Sequence, residues 1–182
     1  MGIPTLIKEQ TATDSSSLTF EHGTSDVVLD STYDEYMFVF TDINPANDAV
    51  SFQVDFLDAS DNSLTKTTTS ILTSHGESNT PAELGYNTGA DLAQATTPAQ
   101  LTEYSIGNGS AESCVGIMHL FSPASTTYVK HYYSTTSGFE RRDRSQATYG
   151  AGYVNATAAV DEISFKFASG NMDGVIQLYG IS

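Results

Sequence analysis

An antiparallel β-sandwich, jelly-roll-like in size, is the fold class this sequence predicts, and three observations lead to it. Short stretches alternate apolar and polar residues with the two-residue period of strands, turn-forming residues separate them, and helical periodicity is almost absent. About nine or ten strands at intervals of roughly 8–15 residues follow from this pattern. With 182 residues the chain is long enough to bury about 70 % of its unfolded surface. A single domain spanning residues 1–182 is therefore expected, with residues 1–15 as an N-terminal arm and 74–112 as a long loop region.

The clearest stretch closes the chain. Ile163, Phe165 and Phe167 alternate with Ser164 and Lys166, the turn residues Ser169-Gly170-Asn171 follow, and Gly174 to Ile181 is apolar on both faces apart from Gln177. This reads as a β-hairpin whose second arm is a central strand, buried from both sides or covered by a partner. Ile3, Leu6 and Ile7 mark a first strand or arm, a polar spacer runs from Thr11 to Ser16, and Leu18 with Phe20 marks a short second strand. Tyr36 to Phe40 is apolar on both faces and aromatic, as a core strand should be. The Asx- and proline-bearing loop Asp42–Asp48 then hands over to the alternating Val50, Phe52, Val54 and Phe56, so a second hairpin is expected here.

A tight turn at Asp58–Ser63 leads into a Thr-rich strand from Leu64 to Leu72. Between Ser74 and Gln100 only Ala90–Gln94 hints at structure, in the form of a helical turn; a connection of this length suits an interface, ligand contact or decoration. Strands resume at Ser113–Phe121, at Thr127–Tyr133 and at Gln146–Val154, the last with Tyr149 and Tyr153 on one face. Neither an internal repeat nor a linker divides the chain.

Charge narrows the function classes. Seven basic residues stand against 22 acidic ones, a formal charge of −15, which repels phosphate backbones and argues against nucleic-acid binding. No apolar run approaches the roughly 18 residues that a membrane span needs, so no membrane insertion is expected. The first residues show neither a signal peptide nor a myristoylation pattern. The lone Cys114 can form no intrachain disulfide.

Candidate chemistry is sparse. His22, His75, His119 and His131 are scattered without metal-ligand spacing, and His119 reads as a satisfied, partly buried residue of a core strand. Gly107-Asn108-Gly109-Ser110 lacks the second glycine of a nucleophile turn. Asp34-Glu35 and Asp161-Glu162 sit at strand edges, where acidic residues also discourage edge pairing. No enzymatic activity and no cofactor are expected. Asp58, Asp61 and Asn62 offer oxygen ligands for a calcium ion, although an Asx turn serving its own backbone accounts for the same residues.

The basic cluster Arg141, Arg142 and Arg144, on an expected loop over 138–146, is the first candidate contact surface: it can meet anionic groups on a partner or be neutralised by Glu140 and Asp143. Tyr132 and Tyr133, on the strand leading there, complete the candidate surface, since tyrosines near a polar tip stack on sugars or on a partner subunit as well as in cores.

Three segments then carry a resemblance. Ser31 to Pro45, Thr126 to His131, and Asp161 to Asn171 with the closing Leu178-Tyr179-Gly180-Ile181 resemble small virion structural proteins of tailed bacteriophages, especially those of marine bacteria. The likeness covers about residues 15–73 and 113–182 and is structural, so it brings no active-site residues with it. It implies a β-sandwich made in the host cytoplasm and assembled on the outside of the particle, in a tail fibre or appendage or as a capsid decoration. The partners it implies are further copies of the chain, a trimer among the plausible forms, other virion proteins, and a host cell-surface glycan. A carbohydrate-binding module is the alternative outside that group.

Overall fold

The computed structural model describes residues 2–103 and 106–182, and within them it is an all-β protein. Its strands are β1 (Thr5–Ser15), β2 (Leu18–Glu21), β3 (Glu35–Pro45), β4 (Phe52–Leu57), β5 (Lys66–Gly76), β6 (Ala82–Tyr86), β7 (Leu92–Ala95), β8 (Ala99–Gln100), β9 (Cys114–Phe121), β10 (Lys130–Glu140), β11 (Arg144–Val154), β12 (Glu162–Phe167) and β13 (Met172–Ile181). They form two antiparallel sheets of unequal size. The larger, nine-stranded sheet runs β1-β13-β3-β9-β10-β11-β5-β6, with β7 also paired to β5, and the smaller runs β2-β12-β4-β8. The β-sandwich expected from the alternation is thus what forms, with thirteen strands among the described residues.

Its core lies between the sheets and is mainly aromatic. Phe38 and Phe40 of β3 meet Phe20, Phe52 and Phe165 of the small sheet, with ring centroids 5.1–5.4 Å apart in the Phe20–Phe38, Phe38–Phe165, Phe40–Phe52 and Phe40–Phe165 pairs. Such edge-to-face and tilted pairs add about 0.5–1.5 kcal/mol each beyond the apolar area they bury. One ion pair also ties the sheets together: Lys66 Nζ on β5, fully buried, donates to Asp55 Oδ1 on β4 at 2.7 Å.

Both hairpins expected from the sequence are corrected. β12 pairs with β2 and β4 in the small sheet, whereas β13 lies between β1 and β3 in the large one. The same separation holds for β3 and β4. In each case the intervening loop, exposed at residues 46–48 and 168–170, passes from one sheet to the other outside the core, so the two consecutive strands face one another through side chains rather than pairing through backbone. Alternation cannot tell these cases apart, because either arrangement gives each strand one apolar face. The polar spacer Thr11–Ser16 is also strand as far as Ser15, a sheet-edge segment whose partners run from Val175 to Met172.

Two further expectations change. Ala90–Gln94 forms no helical turn: Leu92 N donates to Thr68 Oγ1 and Gln94 N to Thr67 Oγ1, drawing the segment against β5 as β7. A helix this short lacks the length to nucleate, and the threonine hydroxyls capture its amides. The long loop region likewise holds β6 and β7 along the free edge of β5, and β8 in the small sheet. The expected 138–146 loop shrinks to a turn, since β10 and β11 stay in register to Glu140↔Arg144.

Candidate functional site

The small sheet packs against the inner face of the large one, and the outer face of the large sheet is turned to solvent. Along β9, β10, β11, β5 and β3 as far as its bulge after Phe40, the odd-numbered residues point outward and the even-numbered ones toward the core, with Val39, Ile117, Thr135, Tyr149 and Ile71 directly opposite one another in consecutive strands. Tyr86 of β6 and Gln177 of β13 extend this row on either side. A second row runs Tyr179, Met37, His119, Tyr133, Ala151 and Thr69. Ile71, Val115, Ile117, Tyr133 and Tyr149 each keep 39–50 % of their surface exposed.

This face is nearly free of charge although the chain carries −15. The outward positions of the five central strands include two carboxylates, both on β3: Asp42 at the bulge, and Glu35, which is bonded by Oε1 to His119 Nδ1. His119 in turn stacks on Tyr133, ring centroids 4.6 Å apart at 17°, and Phe121 lies 5.9 Å from the same ring. His119, half-buried on β9, is thus satisfied by its neighbours on β3 and β10, as expected. Small side chains at Thr135, Ser137 and Ala147 leave a trough of about 370 Å³ between the ridges of Ile117 and Tyr149.

The five residues singled out from the sequence as a contact surface divide. Tyr132 points inward: it is buried, packs on Phe56 with centroids 5.0 Å apart, and burial pushes its phenol pKa up. It belongs to the core and is withdrawn from the contact surface. Tyr133, one residue on, points outward, as strand alternation requires. Arg142 and Arg144 are held by Glu140, whose carboxylate is fully buried at the end of β10; Arg142 Nε donates to Oε1 at 2.6 Å and Arg144 Nε lies 3.7 Å from Oε2. Self-neutralisation by Glu140 therefore describes this pair. Arg141 stands exposed at the turn.

Asp58 serves its own turn. Its Oδ1 accepts from the backbone amides of Ser60 and Asn62 and from Asn62 Nδ2, and these bonds hold its pKa below the ordinary carboxylate value. With Asn62 offering its amide nitrogen, the Asx turn accounts for the cluster with Asp58 as the acceptor. Among the described residues no group of three or more His, Cys, Asp or Glu is arranged to hold a metal ion. Cys114 is buried under the large sheet, and desolvation pushes its thiol up to about 12.

What sequence reasoning missed was the outer face as a unit. Its signal was present in the strands that read as apolar on both faces, Tyr36–Phe40, Ser113–Phe121 and Gly174–Ile181, which register into neighbours.

No protein-family pattern and no curated protein matches the chain by sequence. Among solved structures, a Bacteroides ovatus protein of unknown function is similar over 57 % of this chain and 45 % of its own, with 6 % identity and a TM-score of 0.31. The chain thus spans less than half of that protein. β-Agarase B from Zobellia galactanivorans is similar over 90 % of this chain and 74 % of its own at 10 % identity and a TM-score of 0.24. A structure of infectious bursal disease virus, Gx strain, is similar over 99 % and 41 % at 12 % identity and a TM-score of 0.14. Likeness at this level carries no functional argument.

Proposed function

We propose that this chain is a non-enzymatic structural protein of a tailed-bacteriophage particle, a tail-fibre or tail-appendage component that works by surface contact. The observation that carries the reading is the outer face of the large sheet, whose centre over β9, β10, β11 and β5 carries no carboxylate in a chain of net charge −15. An exposed apolar face of this breadth, rimmed by polar residues, marks an interaction site rather than ordinary surface. The resemblance of residues 15–73 and 113–182 to phage virion proteins supplies the setting. In that setting the sandwich is the rigid frame, the outer face meets other protein, and the Arg141 turn, its neighbours neutralised by Glu140, is a rim feature.

A glycan-contact role has narrower support. Tyr132 lies in the core, and Tyr133 already stacks on His119, which leaves Tyr149 as the free ring of the trough.

Mass spectrometry of gradient-banded particles of the parent phage tests the proposal. Peptides of this chain are expected at a fixed ratio to the major capsid protein, through successive gradients. Their absence from purified particles overturns the reading.

A further inference from the structure

We infer that the occupant of the outer face is a second copy of this chain, seated face to face about a two-fold axis that passes near Thr135. The inference deepens the reading of this face as an assembly surface and does not depend on where in the particle the protein sits.

Area is the first argument. Eight strands at about 4.8 Å spacing and seven residues at about 3.4 Å make a face of roughly 700 Å² in projection. A ridged face presents more accessible surface than its projection, so the value meets the roughly 800 Å² per partner of a stable interface. Among the described residues the small sheet does not offer this, because it has four strands and two of them, β2 and β8, are of four and two residues.

Charge is the second. Two copies at −15 repel each other wherever their acidic residues approach within a Debye length, about 8 Å at physiological salt. A cationic partner would be met by an acidic surface. The centre of this face, over β9, β10, β11 and β5, carries no carboxylate, and those that remain lie toward one side, Glu35 held by His119, Glu9 bonded by Gln177, and Asp42 at the β3 bulge, so the composition of the centre complements a surface of the same kind. Identical copies meet such a requirement through an isologous contact, in which one patch is its own partner.

Shape is the third. Thr135 lies on the central row, and with Ser137 and Ala147 it floors the trough between Ile117 and Tyr149. A two-fold axis lying in the interface along the strands and over Thr135 sets Thr135 against its own copy and the Ile117 ridge of each copy against the Tyr149 ridge of the other. Face-to-face sheets then stack at about 10 Å, the spacing already used inside the sandwich.

Sedimentation velocity of the full 182-residue chain, from about 5 to 100 µM in 0.15 M and 0.5 M NaCl, reads the association directly. The expected result is a species of twice the chain mass that is favoured by added salt, because salt screens the like charge of the copies and leaves apolar contact intact. Ile117→Lys and Tyr149→Lys, made separately at exposed positions, are each expected to weaken association about 30-fold or more. Circular dichroism checks that both variants keep the β fold. Thr135→Cys is expected to be joined to its own copy by a short bis-maleimide cross-linker, which spans the roughly 10 Å between stacked sheets, whereas Lys166→Cys, on the exposed side of the small sheet, is not. A wild-type monomer at 100 µM, a trimer, or dimers that survive both lysine substitutions would each overturn the inference. So would a monomer that binds an oligosaccharide array and loses that binding in Tyr149→Lys.

Discussion

Removing Asp55 from the buried ion pair should cost far more than removing both partners. Lys66 is fully buried on β5 and Asp55 almost so on β4, and their 2.7 Å contact spans the two sheets. In Asp55→Ala the ammonium keeps only the carbonyls of Leu64 and Thr96, at 2.9 and 3.2 Å, so an uncompensated charge stays inside. Breaking such a pair costs about 3–5 kcal/mol. Lys66→Met should cost less, about 1–3 kcal/mol, because the Asp55 carboxylate still accepts from Ser63 Oγ and the Phe56 amide. The double variant, with no buried charge, should return to within about 1–2 kcal/mol of the starting protein, a coupling of about 4–5 kcal/mol. Urea unfolding with an unchanged slope measures all four corners of the cycle. For a chain of this size, Asp55→Ala should also lower the Tm by about 6–20 °C. Additive effects, or single variants within about 0.5 kcal/mol of the parent, would refute the reasoning.

Three more outcomes follow from the packing. Phe165 meets Phe20, Phe38, Phe40 and Phe52 within 6.1 Å, so Phe165→Ala should cost about 3–5 kcal/mol by urea titration; a loss below about 1 kcal/mol would show the cluster is not the centre of the core. Cys114, desolvated with its thiol pushed up to about 12, should resist a thiol reagent at pH 8 in the folded protein and react at once in denaturant, whereas rapid native labelling would contradict its burial. Glu162 has its pKa raised by desolvation first and then by Asp61, Glu21, Asp161 and Asp55, with Glu21 directly opposite in β2. The folded state therefore holds that proton to higher pH than the unfolded chain does. The penalty is absent below the unfolded value near 4.5 and complete once pH passes the folded value. Glu162→Gln should raise the urea midpoint at pH 7 and lose its advantage toward pH 4; an advantage that grows on acidification would contradict this sign.

Much of the frame was legible in the residues because strand alternation reports burial directly. Leu18 and Phe20, Tyr36 to Phe40, Cys114 to Phe121 and Ile163 to Phe167 all read as strands and are strands. Strand pairing was not legible, for a physical reason: Phe40 and Phe52 sit 5.2 Å apart across the core, in different sheets, and the same alternating pattern would arise if β3 and β4 were hydrogen-bonded neighbours. The site was half visible. Strands apolar on both faces pointed to a covered or partnered surface, but joining Val39, Ile117, Tyr149 and Ile71 into one row needs a register that no local pattern encodes. Tyr132 and Tyr133 show the limit at single-residue scale. Their alternation sends one in and one out, and only the neighbouring strands decide which.

Gold-labelled antibody against this chain, applied to intact particles of the parent phage, tests the central claim most directly. Label at the tail is the expected result, with the head bare. Label spread over the head would make the chain a decoration protein and overturn the tail assignment. Particles that take no label, beside a capsid antibody that decorates them fully, would contradict the virion reading itself.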